Sequence, residues 1–248
     1  MDFNPFSLKS KNILVTGASS GIGRGIAVAC SKMGAAVWIC GRNAKNLNET
    51  LSLMEGEGHR SIIADLTNLS NIVSLCESLP KLDGVVHCAG IAQRVLCKQI
   101  EEQDISDVMD INFKAPVLLQ KQLLEEKKIK TGASIVFIAS IASWSANIGN
   151  AMYSASKGAL ISYANCLSLE LAPRKIRVNC ISPAMVWTDF VKKDLVNIEL
   201  LKEDEQRYPL KRYGQPDDIA YLAVYMLSDV STWMTGSNVK INGGGTLS

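Results

Sequence analysis

Short runs rich in Val and Ile alternate along this chain with longer segments of helical period, and few folds accommodate that alternation. The strand candidates are residues 12–16, 36–40, 60–64, 84–87, 134–139, 176–181 and 238–241. The helical stretches between them are 21–33, 44–55, 69–79, 101–126, 151–171 and 216–227, several opened by Ser, Asn or Pro. Strand, crossover helix and parallel strand form the βαβ unit. Because the strands are apolar nearly throughout, helices must cover both faces of the sheet. The expectation is an α/β doubly wound parallel sheet of seven strands, formed by one domain over residues 1–248.

Composition narrows the function. Of 248 residues, 47% are apolar and 20% charged, so a packed core is expected rather than disorder. A formal charge of +2, with Lys and Arg spread along the chain, excludes a nucleic-acid surface. The cluster Lys127, Lys128 and Lys130 reads as a solvated helix end. Seven cysteines without a C-x-x-C pair argue against a disulfide framework and against a metal site, and fit buried free thiols in a reducing compartment. The first eleven residues lack the apolar core of a secretory leader, and the longest apolar stretch falls well short of the ~20 residues a membrane helix needs. A cytoplasmic protein is expected.

Thr16-Gly17-Ala18-Ser19-Ser20-Gly21-Ile22-Gly23 follows the first strand and opens the first helix, the context that a dinucleotide fingerprint of the Rossmann type requires. Gly17 permits the turn, while Gly21 and Gly23 allow close approach of backbone to a pyrophosphate at the helix N-terminus. The spacing is G-x-x-x-G-x-G and so departs from the common signature. About twenty residues further on, where an NAD site places an acid on the ribose 2′-hydroxyl, the chain offers Arg42. Its fork suits a 2′-phosphate, favouring NADP(H) over NAD(H). The alternative is a solvated Arg beside the helix-capping Asn43.

Tyr153 and Lys157 share one face of a helix, and Ser140 ends the strand before it. Reducing a carbonyl leaves an alkoxide that needs a proton, which a tyrosine supplies if its pKa of ~10 is brought toward neutrality. A shift of ~3 units corresponds to ~4 kcal/mol and demands a close cation in a partly dry site. Lys157 is that candidate cation. Asn112 lies in the long helix before the strand.

With these residues in view, the whole chain resembles the short-chain dehydrogenase/reductase family in its branch of about 250 residues. The likeness rests on T-G-A-S-S-G-I-G at 16–23, Asp65-Leu66, Ala89-Gly90, Asn112, Ser140, Tyr153, Lys157, Asn179, Pro183, Thr188 and Gln215-Pro216-Asp217-Asp218. The resemblance implies Tyr153 as general acid or base, Ser140 as the hydrogen-bond partner of the substrate oxygen, and Asn112 as the holder of a water in a proton relay. Lys157 would bind the nicotinamide ribose and lower the tyrosine pKa. Cofactor contacts would come from Gly17, Ser19, Ser20, Gly21, Ile22 and Gly23, then Arg42, Asn43, Asp65, Leu66, Ala89 and Gly90. Pro183, Val186 and Thr188 would border the nicotinamide. Strand order 3-2-1-4-5-6-7 and a homotetramer are also implied. Two departures stand out: His87-Cys88-Ala89-Gly90 for the usual Asn-Asn-Ala-Gly, and Pro183-Ala184 for Pro-Gly.

Residues 187–213 form a charged insertion after the sixth strand, read as a substrate lid or as a surface excursion. His87 reads as a hydrogen-bonded interior histidine and His59 as solvent-exposed. Trp144 and Met152 either line the pocket or simply pack. The expected activity is NADP-dependent reduction of a ketone, with 3-oxoacyl thioesters of fatty acid biosynthesis as the substrate the resemblance favours. Arg94 and Lys98 could meet an acidic acyl carrier protein. The alternatives are a sugar-acid, polyol or steroid-type alcohol dehydrogenase and, from another class, a non-catalytic dinucleotide-sensing protein.

Overall fold

A computed structural model describes residues 4–145, 147–188 and 198–245. Its strands are β1 (Asn12–Thr16), β2 (Ala36–Gly41), β3 (Arg60–Ile63), β4 (Leu82–His87), β5 (Ile129–Ile138), β6 (Arg177–Pro183) and β7 (Asn238–Ile241). They form one seven-stranded sheet in the order β3-β2-β1-β4-β5-β6-β7, with every pair parallel. The expected architecture and strand order are both observed.

The helices are α1 (Gly21–Lys32), α2 (Ala44–Ser52), α3 (Leu69–Ser78), α4 (Glu102–Met109), α5 (Ala115–Glu125), α6 (Ala151–Leu171), α7 (Ile198–Glu205) and α8 (Pro216–Leu227). Alternate strand residues feed two separate cores. Leu14, Val85 and Phe137 pack with Leu75, Leu119 and Leu160 on one face. Ile13, Val15, Val86 and Val136 pack with Ile26, Ala27, Ile219 and Ala223 on the other. Two apolar faces explain why the strands carry no polar alternation. Each large side chain buried completely contributes roughly 1.5–3 kcal/mol, so the sheet is held from both sides. Start signals read from sequence are visible as caps. Asn43 accepts from the Asn46 amide at 3.0 Å, and Gln215 with Asp218 forms a reciprocal capping box at α8.

Three expectations need correction. The stretch 101–126 is not one α-helix: a π turn over Asp110–Lys114 separates α4 from α5. Pro116 has no N–H to donate to the Asn112 carbonyl, so the α-helical register cannot run through this point, and the Ala115 amide reaches back to the Asp110 carbonyl instead. The basic cluster is not a solvated helix end. Lys128 Nζ donates to the Glu77 and Leu79 carbonyls at the end of α3, and Lys130, already in β5, pairs with Asp83 at 2.8 Å. His59 is half-buried rather than exposed: its Nδ1 accepts from the Val37 amide at 3.2 Å, and its Nε2 lies 3.0 Å from the Glu55 carbonyl. His87 is an interior histidine as expected, stacked on Phe137 with Nε2 3.1 Å from Gln120 Oε1. All seven cysteines are free; Cys30, Cys40, Cys76 and Cys180 are buried, but Cys97 and Cys166 are exposed.

Candidate active site

The glycine loop crosses the carboxyl end of β1, where a doubly wound sheet receives ligands. Gly17 has φ +66°, and a Cβ there would lie 2.7 Å from the Ala89 Cα. At Gly23 a Cβ would sit 2.3 Å from the Gly17 carbonyl oxygen. Both positions therefore need glycine. Ser20 precedes α1 in extended conformation, and no described residue accepts from the amides of Ser19 to Gly23. Such a row of free N–H groups at a helix start suits an anion. Thr16 Oγ1 accepts from the Cys88 and Ala89 amides at 3.1 and 3.2 Å, tying this loop to the one after β4.

Farther along the same edge, Arg42 is exposed and Asn43 caps α2. Asp65 is half-buried and accepts from the Thr67 amide and hydroxyl, which with the nearby Arg42 charge holds its carboxyl below the usual range. Leu66 is buried behind it. On the other side of β1, Gly90 packs so tightly that a Cβ would lie 2.8 Å from Asn112 Oδ1 and 3.5 Å from Lys157 Nζ.

The candidate catalytic group assembles above the ends of β4 and β5. Ser140, two residues beyond β5, opens a short 3-10 turn; its Oγ accepts from the Ala142 amide at 3.1 Å, and the side chain is near enough to Tyr153 to draw the phenol pKa down. Lys157 is buried one helical turn from Tyr153, with Nζ 5.8 Å from the phenol ring centre and donating to the Ile138 carbonyl at 2.9 Å. Asn112, fully buried in the π turn, holds the segment after β4 from both sides. Its Oδ1 accepts from the Ile91 amide and its Nδ2 donates to the Ile91 carbonyl, each at 2.8 Å. The four residues named from sequence are thus brought together. The expected electrostatics are not: burial pushes the Tyr153 phenol above its ordinary value, and the Ser140 side chain opposes this only in part. Burial also lowers Lys157 to about 8. Desolvation penalises both charged forms, and here it outweighs the attraction expected between them.

β6 ends at Pro183, and the chain then folds back toward the glycine loop. Val186 bridges to Gly214, the Trp187 amide donates to the Gly214 carbonyl at 2.8 Å, and Thr188 lies where a Cβ on Gly21 would be 3.0 Å from its Cγ2. The glycine loop, the candidate catalytic residues and the post-β6 segment therefore share one edge. A family model described as enoyl-(acyl carrier protein) reductase matches residues 17–246. The chain is 34% identical over 237 residues to the 3-oxoacyl-[acyl-carrier-protein] reductase of Rickettsia felis, covering 96% of this chain and 97% of that one.

This chain belongs to the short-chain dehydrogenase/reductase family.

It is also 30% identical over 244 residues to human dehydrogenase/reductase SDR family member 4, spanning 96% of this chain and 88% of the relative. A solved structure from Beutenbergia cavernae, described as a candidate NAD(P)-dependent gluconate 5-dehydrogenase with bound NADP, superposes with a TM-score of 0.87 at 30% identity, covering 97% of this chain and 98% of its own. The short-chain dehydrogenase/reductase is accordingly an NAD(P)-dependent oxidoreductase acting on CH–OH or C=O groups, with a fold that binds a nicotinamide dinucleotide.

A groove of about 560 Å³ runs beside the candidate catalytic group of this dehydrogenase/reductase, lined by Leu96, Cys97, Trp144, Ile148, Ala151 and Ser154 among others. Trp144 is thus on the groove rather than in the core, with Lys240 Nζ 4.5 Å from its ring centre. Met152 faces a much smaller cavity shared with Gln93 and Asp104. Within the insertion, residues 189–197 lie outside the described residues. Its remainder packs through Leu201, Tyr208 and Tyr213 against Met185 and Trp187. Among the described residues no helix is long and apolar enough to cross a membrane.

Sequence reasoning missed three supporting groups. Ser156 is buried, accepts from Asn112 Nδ2 at 3.0 Å and donates to the Tyr153 carbonyl, so it couples the π turn to α6. A polar residue between Tyr153 and Lys157, one position before the lysine, was the available signal. Arg24 and Thr50 bond to the glycine loop from behind, and residues 26 apart leave no periodic signal.

Proposed function

We propose that this enzyme reduces the ketone of a 3-oxoacyl thioester with NADPH, Tyr153 acting as the proton donor. The observation that carries the reading is the meeting of Tyr153, Ser140 and Lys157 beside a glycine cradle that a single added methyl would obstruct. When bound, the nicotinamide supplies the hydride. Gly17, Ser19, Ser20, Gly21, Ile22 and Gly23 would hold the pyrophosphate. Asp65 and Leu66 would border the adenine, and Ala89, Gly90, Pro183, Val186 and Thr188 the rest of the cofactor. Lys157 would hold the nicotinamide ribose.

The raised phenol pKa fits this direction of reaction. Tyr153 carries its proton at neutral pH and can pass it to the substrate oxygen as charge develops there. Ser140 Oγ stabilises both that oxygen and the phenolate left behind. Lys157 titrates near 8, close enough to neutrality to pass a proton inward along a relay that includes a water near Asn112. The apolar groove at Leu96, Trp144 and Ile148 suits an acyl chain.

Cofactor choice rests on Arg42, whose exposed guanidinium next to Asn43 is free to take a 2′-phosphate. Arg42→Gln is expected to weaken NADPH binding by roughly 10-fold or more, as charge-assisted hydrogen bonds contribute about 1.5–3 kcal/mol, while leaving NADH unaffected. Residues 187–213 act as the substrate lid, the exposed Arg94 and Lys98 meet an acyl carrier protein, the assembly is a homotetramer, and the site of action is the reducing cytoplasm. The likeness to the Beutenbergia cavernae protein favours a second reading, a sugar-acid or polyol dehydrogenase. A panel of acetoacetyl thioesters, sugar acids and polyols, followed by NADPH or NADP absorbance with Tyr153→Phe as control, separates the two. Turnover of polyols alone would remove the thioester reading.

A further inference from the structure

The back of the glycine loop carries a polar network that the roles above leave unused. Arg24, in the first turn of α1, donates from Nη2 to the Ser19 carbonyl at 2.6 Å and from Nε to Thr50 Oγ1 at 3.0 Å. The same Nη2 also reaches the Asn46 carbonyl at 3.3 Å and Glu49 Oε2 at 3.2 Å. Thr50, completely buried in α2, donates its hydroxyl proton toward the Ala18 carbonyl at 2.8 Å, with the Asn46 carbonyl at 3.0 Å as the other acceptor in reach. Two consecutive loop carbonyls are thereby drawn away from the ligand side and onto α2.

A trans peptide is planar, with its C=O and the following N–H on opposite sides. Fixing the Ser19 carbonyl therefore fixes the Ser20 N–H in the opposite direction, and fixing the Ala18 carbonyl does the same for the Ser19 N–H. These two amides belong to the row that no described residue accepts from. Turning either peptide over requires only paired changes in ψ and φ of Ala18, Ser19 and Ser20, and the clamp is what the structure shows holding those carbonyls in place.

We propose that Arg24 and Thr50 are positioning residues for the dinucleotide pyrophosphate: they hold the Ser19 and Ala18 carbonyls back so that the Ser20 and Ser19 amides face the phosphate oxygens. Neither side chain touches the phosphate itself. The inference rests on the reading of this loop as the dinucleotide cradle. It separates Arg24 from Arg42, because the pyrophosphate is common to both cofactors and the 2′-phosphate is not.

The test is direct binding of NADPH and of NADH, by nucleotide fluorescence, to wild type, Arg24→Met, Arg24→Lys, Thr50→Val and Thr50→Ser, with thermal melting of each without nucleotide. Arg24→Met should raise both dissociation constants about 10-fold and by equal factors, with kcat at saturating cofactor within twofold of wild type. Arg24→Lys should not rescue, because one ammonium cannot span acceptors on both the loop and α2. Thr50→Val should weaken both nucleotides several-fold, and Thr50→Ser should restore them. Lower melting temperatures with unchanged dissociation constants would make the network merely structural and overturn the proposal, as would a loss confined to NADPH. A wild type that binds neither nucleotide would instead remove the reading on which the inference stands.

Discussion

From Thr16 to Asp65 the strand-end edge presents mostly backbone, in the form of free amides, two glycines that admit no Cβ and carbonyls tied back to α2. From Gln93 to Tyr213 the same edge presents side chains from distant segments, with Trp144 under Lys240, Met152 beside Gln93 and Tyr213 against Trp187. The first region is set by local dihedral requirements, and any sequence that meets them builds the same cradle. The second is set by packing between residues far apart in the chain, so similar frames can carry different substrate preferences. This is why relatives of comparable identity bear names as different as an oxoacyl reductase and a gluconate dehydrogenase.

The largest test of that contrast lies at the junction of the two regions. Tyr153→Phe removes the phenol hydroxyl proposed as the proton donor while keeping the ring beside Lys157. It should lower kcat by about 10³-fold, within the range general acid catalysis supplies, with nucleotide binding and melting temperature unchanged. Retention of rate in a stopped-flow assay would show that proton transfer does not run through this phenol. Gly23→Ala breaks the backbone side instead. The new methyl meets the Gly17 carbonyl at 2.3 Å, an obstacle that no rotamer change relieves. Overpacking of this kind typically costs about 1–3 kcal/mol, so a lower urea midpoint and loss of nucleotide binding by calorimetry are expected together.

Two buried bases provide a quieter comparison. Burial holds Lys157 at about 8 and His87 at about 4, both below their unfolded values. In each case the unfolded chain binds the proton more tightly, so stability rises with pH across the interval between the two values. For His87 that window runs from about 4 to the ordinary 6.5, and for Lys157 from about 8 to the ordinary 10.5. Each gradient is worth about 3 kcal/mol at most, since one pKa unit corresponds to about 1.4 kcal/mol. Urea midpoints measured against pH should show Lys157→Met flattening the alkaline rise and His87→Asn flattening the acid fall. Parallel curves for wild type and variant would mean that relaxation or water entry relieves the burial. The lysine thus carries a stability cost at neutral pH that a packing residue would not, as expected where function sets the residue.

The same contrast governs what could be read from the residues alone. The bounds of β1, β7, α6 and α8 were legible, most directly at α8, where Gln215, Pro216 and Asp218 mark the start. The π turn at Asp110–Lys114 was hidden, since one extra residue in a long helix barely alters the apolar period, and only Pro116 hints at it. The start of β5 was hidden by Lys128, Lys130 and Gly132, which look like a loop until their partners are known. Tyr153, Lys157, Ser140 and Asn112 were identifiable as residues, but the direction of the phenol shift was not, because desolvation depends on what the fold stacks above the ring. Arg24 and Thr50 were silent, as they bond to backbone carbonyls, which every residue carries, and the contact between them spans 26 residues.

The smallest expected effect probes the least legible region. Lys240 comes from β7 and Trp144 from the turn after β5, and their contact at 4.5 Å sets how the indole stands along the apolar groove. Lys240→Met keeps the apolar stem over the ring and removes the cation. An exposed cation–π contact is worth about 0.5–1 kcal/mol, or about two- to fivefold in an equilibrium. On the proposed reading, with the acyl chain lying along this groove, KM for long-chain 3-oxoacyl thioesters should rise by about that factor, with kcat unchanged and KM for the short acetoacetyl thioester affected less. A change in kcat for both substrates would mean that the indole bears on Ser140 and Tyr153 through the turn it shares with Ser140. The two regions of the edge would then be mechanically joined, and substrate preference could not be altered along the groove without altering the chemistry.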